Sequence, residues 1–112
     1  MALYQRGDIV AVQFPFTDIS QTKKRPALVI SNDTINATGD YLLVQITSQV
    51  KGDRLSIPIN DSGFVGNPLP LKSFVRVHKV FLLNESLIIS RITTANPPFL
   101  KLLVDNLLKH IS

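Results

Sequence analysis

The apolar residues of this chain change period once, and that change limits what it can fold into. From Asp8 to Ile92 they come in short runs punctuated by proline, glycine and Asn–Asp pairs, the pattern of strands joined by turns. Beyond Asn96, residues Leu100, Leu103, Val104, Leu107, Leu108 and Ile111 recur at helical spacing. A set of strands followed by one amphipathic helix leaves few architectures. The helix is expected to pack on the sheet, its apolar stripe serving as core or as a subunit contact.

The strands can be placed individually. Asp8–Phe14 reads as the first, ended by Pro15, which cannot donate to a ladder. Pro26–Ser31 is the second, closed by the turn-prone Asn32–Asp33, and Tyr41–Ser48 follows Gly39–Asp40 as the third. In Arg54–Ile59, Leu55, Ile57 and Ile59 alternate with polar or small residues, as in a half-buried strand. Asp61–Pro70 is loop. Leu71–Val80 alternates again, with Ser73, Val75 and Val77 on one face and Phe74, Arg76 and His78 on the other. One more short strand is expected near SLIISRI, between Phe81 and Ile92. For the helix, Asn96 is the N-cap, Pro97 fits the first position, and Lys109 and His110 suit the negative end of the dipole. The fold expected is mainly β: a small, partly open SH3-like barrel with a C-terminal α-helix. A sandwich would need more strands.

At 112 residues the chain is read as one domain, residues 1–112, long enough for a core. With 45% hydrophobic residues it is globular and not a disordered tail. The absence of cysteine excludes disulfide scaffolds, thiolate metal sites and cysteine nucleophiles together. Two histidines, His78 and His110, make a histidine metal site improbable, so no metal and no cofactor is expected. No apolar run is long enough for a membrane span and no export signal opens the chain, so the expected location is cytoplasmic, with no membrane partner. The formal charge of +4 favours an anionic partner.

That charge has a focus. Between the first two strands runs PFTDISQTKKR, too long for a tight hairpin, which sets Lys23, Lys24 and Arg25 at the entrance of an apolar strand. Pro26 holds Arg25 extended, so the sheet fixes its backbone. A guanidinium held that way can grip a phosphate with two parallel hydrogen bonds, which a lysine cannot. On this stretch alone the ordinary reading comes first, Arg25 as a solvated charge paired with Asp18 or another carboxylate. Thr47 and Ser48, ending the third strand before Gln49, can donate hydroxyl hydrogen bonds to a phosphate or simply make a turn. Arg76 and His78 share a strand face that can contact a backbone phosphate or merely meet solvent. Lys51, Arg54, Lys72 and Lys79 extend a positive rim or scatter over the surface. Phe14, Phe16 and Phe64 are candidates for base stacking, with Phe14 also readable as core.

Three blocks, GDIVAVQFPFTDISQTKKRPALVISND, LLVQITSQ and LPLKSFVRVHKVFLL, together resemble the MazF/PemK-like toxins of bacterial type II toxin–antitoxin systems, over nearly the whole chain. The resemblance implies an SH3-like barrel with a C-terminal helix, usually a homodimer. It also implies a metal-independent endoribonuclease that cuts single-stranded RNA, often mRNA. Carried over by position, Arg25 and Thr47 would be catalytic. Around them Lys23, Lys24, Ser48, Gln49 and Arg76 are expected to bind RNA. A cognate antitoxin with an acidic, disordered tail would cover the same basic groove. The chain departs from the family pattern in its proline-rich segment Ser90–Phe99. It also has His78 where an acidic residue is common and Phe74 where tryptophan is common. A reading of another class keeps the barrel as a catalytically inactive module that binds RNA, an antitoxin or another protein. The gyrase-poison version of that idea is disfavoured, because the chain has no tryptophan and ends His110–Ile111–Ser112.

Overall fold

The computed structural model describes residues 2–13, 24–49 and 52–112. Its strands are β1 (Asp8–Gln13), β2 (Lys24–Val29), β3 (Asp40–Thr47), β4 (Ser56–Ile59), β5 (Ser73–Asn84) and β6 (Ile88–Thr94). A one-turn helix α1 (Asp33–Asn36) joins β2 to β3, and α2 (Pro97–Ile111) ends the chain. All pairings are antiparallel and the order is β4-β5-β3-β2-β1-β6. The edges β4 and β6 share no ladder. Instead the segment after β4 meets the end of β6 at an isolated antiparallel bridge, Phe64–Ala95, reinforced by Val65 N–H donating to the Thr94 carbonyl at 2.8 Å. This is the mainly β, partly open barrel with a terminal helix that the sequence predicts.

Gly7 completes the seam. Its N–H donates to the Val29 carbonyl and its own carbonyl accepts from Ala95 N–H, both at 2.8 Å. Its φ of +100° is open to glycine and disfavoured for residues with a Cβ, and a Cβ there would lie 3.0 Å from Leu100 Cδ1.

Two apolar clusters flank the sheet. Ile9, Leu28, Val44, Ile46, Val75 and Val77 form one with Phe99 and Leu103 of α2. Val10, Val12, Ala27, Val29, Tyr41, Leu43, Leu83 and Ile88 form the other. Strands β1 to β3 therefore bury both faces at their centres. That explains why their sequences read as continuous apolar runs and not as clean alternations. Truncating Leu103, fully buried under the helix, would cost about 2–5 kcal/mol.

The helix follows its sequence signals. Asn96 Oδ1 accepts from Phe99 N–H at 3.0 Å, prolines occupy the first two positions, and Lys109 and His110 lie in the last turn. Three local details differ from expectation. Asn32–Asp33 starts α1, because the Asn32 side chain caps Thr34 and Ile35 N–H groups and so stabilises a helical turn over a plain reversal. The loop Asp61–Pro70 contains a 3₁₀ turn at Asp61–Gly63. β5 begins two residues late and runs unbroken through Phe81 to Asn84, where the sequence predicts an end at Val80. The run VFLL is apolar at both parities, which conceals the continuing strand. A register irregularity gives the reason for its length. Between the pairs Val44–Val80 and Ile46–Val75, β5 takes five residues against two on β3. The expected faces hold: Ser73, Val75 and Val77 are buried, whereas Phe74 and Arg76 are half-buried and His78 is exposed.

Candidate active site

The ends of β2 and β3 form one wall of an open cavity of about 580 Å³. Its polar lining is Lys24, Arg25, Thr47, Ser48 and Gln49, with Ser73 from the start of β5. The β2–β3 register explains the convergence. Ala27 pairs with Gln45, and two steps further along the same antiparallel register stand Arg25 and Thr47. The strand that Pro26 holds extended thus carries its guanidinium to the place where β3 brings its hydroxyl.

Arg25 is half-buried and, among the described residues, has neither an ion-pair nor a hydrogen-bond partner. Asp18, the candidate carboxylate from the sequence, lies outside the described residues, as do Lys23, Phe14, Phe16 and Lys51. Thr47 is buried, and its Oγ1 accepts from the Gln49 backbone N–H at 3.1 Å. Among the described residues no acceptor takes its hydroxyl proton, so that proton is available to a ligand. Ser48 is exposed at the mouth.

Arg76 is elsewhere. It stands on β5 opposite Ser56 of β4 and does not line the cavity. Its Nη2 donates to Asp53 Oδ2 at 2.7 Å and lies 3.3 Å from His78 Nε2. A guanidinium can only donate, so this contact requires an unprotonated Nε2. Partial desolvation by neighbouring atoms of this otherwise exposed ring, and then the Arg76 charge, push the His78 pKa below 6.5. Asp53 is held below the usual carboxylate range, chiefly because it accepts from Leu55 N–H and secondarily because of Arg76. Phe64 packs against the first apolar cluster and makes the bridge to Ala95, so its ring belongs to the core and is not a stacking platform. Among the described residues no three His, Asp or Glu side chains gather as a metal site would require.

Sequence reasoning missed the apolar wall opposite the polar one. Leu69, Pro70 and Leu71 supply it from the loop before β5, and Ala11, Ile46 and Ile92 complete it from three strands. The NPLPL stretch announces a loop but carries nothing that tells where the loop returns. Its position depends on Ser73, whose hydroxyl donates to the Leu71 carbonyl at 2.8 Å.

Residues 5–111 match the sequence pattern of the PemK-like, MazF-like toxins of type II toxin–antitoxin systems. The chain belongs to this family. No curated protein matched it in sequence. Solved structures share the fold of this PemK/MazF-like chain at low identity. The MazE–MazF complex of Deinococcus radiodurans superposes with a TM-score of 0.78 at 21% identity, covering 97% of this chain and 96% of the other. An endoribonuclease in complex with its cognate antitoxin, from a mycobacterial species, gives 0.75 at 16% identity over 96% and 94%. The Mycobacterium tuberculosis toxin MazF-mt6 gives 0.73 at 16% over 93% and 95%. No helix of the described residues is long and apolar enough to cross a membrane.

Proposed function

We propose that this PemK/MazF-like chain is a metal-independent endoribonuclease that cuts single-stranded RNA at the cavity between β2 and β3. The observation that carries the reading is the pairing in that cavity of a guanidinium and a threonine hydroxyl that have, among the described residues, no carboxylate partner and no acceptor for the hydroxyl proton respectively. In the reaction the ribose 2′-oxygen attacks the adjacent phosphorus, the bond from phosphorus to the 5′-oxygen breaks, and a 2′,3′-cyclic phosphate forms. The 2′-hydroxyl loses a proton and the departing 5′-oxygen gains one. Negative charge builds on the non-bridging oxygens, and fixed donors aimed there are the largest catalytic contribution of this kind of site. Arg25 and Thr47 are those donors. The described lining residues include no carboxylate or imidazole to act as general acid or base. Their part is therefore charge stabilisation and orientation, with Lys24, Ser48 and Gln49 holding the strand.

In this reading the regulator is an antitoxin whose acidic tail occupies the same groove, and the active species is a homodimer. The Deinococcus and mycobacterial neighbours, solved in complex with MazE and with a cognate antitoxin, support the first of these. The test is incubation of purified protein with single-stranded RNA in EDTA, comparing wild type with Arg25→Gln and Thr47→Ala. Cutting that leaves cyclic-phosphate ends and is abolished by both changes supports the proposal. Intact RNA across transcripts of varied sequence would leave the non-catalytic binding module.

A further inference from the structure

Thr47 is the last residue of β3, and the chain bends at Ser48 and Gln49 directly after it. The bend returns the backbone N–H of Gln49 to the threonine side chain, where Oγ1 accepts it at 3.1 Å. Resting on the nuclease reading above, we infer that this amide makes Gln49 a positioning residue for the reaction. It aims the Thr47 hydroxyl proton at the scissile phosphate and strengthens it as a donor. The role belongs to the backbone of residue 49 and not to its side chain.

A threonine hydroxyl carries one proton and two lone pairs, and the proton turns about the Cβ–Oγ bond to suit its neighbours. Two rotations must therefore be fixed before Thr47 serves as an oriented donor. The rotation about Cα–Cβ already has few choices, because threonine is β-branched, and the bond from Gln49 holds the one that brings Oγ1 towards residue 49. The hydroxyl rotation is narrowed by the same bond. With the amide hydrogen on one lone pair, the hydroxyl proton is kept out of that sector by repulsion between two hydrogens of like partial charge. Burial limits what else it can meet. Thr47 is 7% exposed, and its cross-strand partner is Phe74, whose side chain offers no oxygen or nitrogen acceptor. The open direction is the cavity, which Thr47 lines together with Arg25. The amide also polarises the hydroxyl. Hydrogen bonds in a chain strengthen one another at low local dielectric, so the run from N–H through Oγ1–H to a phosphate oxygen tightens as charge gathers on that oxygen. Its contribution is larger in the transition state than in the bound RNA, which puts it in the rate of cutting and not in affinity.

The test removes the N–H and keeps the hydroxyl. Gln49→Pro lacks the donor, and Gln49→Ala, which retains it, is the reference, since both lose the side chain at the cavity. Each variant is given single-stranded RNA in EDTA under single-turnover conditions. Affinity is measured on the same sequence with 2′-deoxyribose at the cut, which lacks the nucleophile. Relative to Gln49→Ala, Gln49→Pro is expected to cut about tenfold more slowly, the worth of one hydrogen bond, with affinity unchanged. In a Thr47→Ala background the two variants are expected to cut at one rate, because the amide then has no hydroxyl to aim. Equal rates with Thr47 present overturn the inference while the nuclease reading stands. So does a fall in affinity as large as the fall in rate, or a fall in rate that persists without the hydroxyl, since either marks a reshaped cavity. Wild type that cuts no RNA removes both readings at once. Should Gln49→Pro fail to fold, a synthetic chain with lactic acid at position 49 takes its place. It exchanges that one N–H for an ester oxygen, and the same outcomes against Gln49→Ala are expected.

Discussion

Two arginines on neighbouring parts of the same sheet illustrate how little residue type says about role. Arg25, near the start of β2, lines the cavity and has no partner among the described residues. Arg76, on β5, has a side chain only 13% exposed and spends one nitrogen on Asp53 and His78. Both are strand arginines, and both are readable from sequence as phosphate ligands. The difference lies in what faces them. A charge already satisfied by a carboxylate must break that contact to bind a phosphate, whereas a free charge at a strand entrance is ready to do so. The lesson is that a cation and a hydroxyl lining one cavity with no partner among the described residues point to chemistry more strongly than a cation in a network.

The comparison can be broken most sharply at Arg25. Arg25→Gln is expected to slow RNA cleavage by about two to three orders of magnitude, as loss of one transition-state donor does, with the fold unchanged by circular dichroism. Thr47→Ala should fall in the same range, since its hydroxyl is the second donor. A smaller effect is expected from Lys24→Ala. This exposed cation makes at most a phosphate contact, so binding weakens and the slope of log affinity against log salt drops by about 0.7. Salt titration of RNA binding measures that directly. Arg76→Gln should leave cleavage within about threefold of wild type, the scale of a surface change away from the reacting atoms.

The smallest effect sharpens the other half of the contrast. His78 has its pKa depressed below 6.5 by partial desolvation and by Arg76, so the folded state favours the neutral ring. The unfolded state then binds the extra proton first as pH falls. This contribution to stability is present above pH 6.5 and is lost as pH drops from there through the depressed value. NMR titration of the ring should give a midpoint below 6.5, moved upward in Arg76→Gln. A midpoint unmoved by that substitution would contradict the contact.

Much of this was legible in the sequence. The switch from strand runs to the helical period after Asn96 gave the architecture, because periodicity reports burial directly. Arg25, Thr47, Lys24, Ser48 and Gln49 could be picked out because they stand at strand ends, where the local sequence sets their position. The length of β5 was not legible, since VFLL is apolar at both parities and only the register irregularity against β3 shows that the strand continues. Nor was the difference between Arg25 and Arg76. Asp53 lies 23 residues from Arg76, and a contact over that separation is decided by the pairing of β4 with β5. The aliphatic wall of Leu69 to Leu71 was hidden for the same reason, its place being set by a loop that folds back onto strands far away in the chain.

The most direct measurement is the ratio of the cleavage rates of Arg76→Gln and Arg25→Gln on one single-stranded RNA in EDTA, with both variants shown to be folded. A ratio of about 100 or more is expected if the Arg25 guanidinium at the β2 entrance stabilises the transition state. Equal rates for the two variants would contradict it.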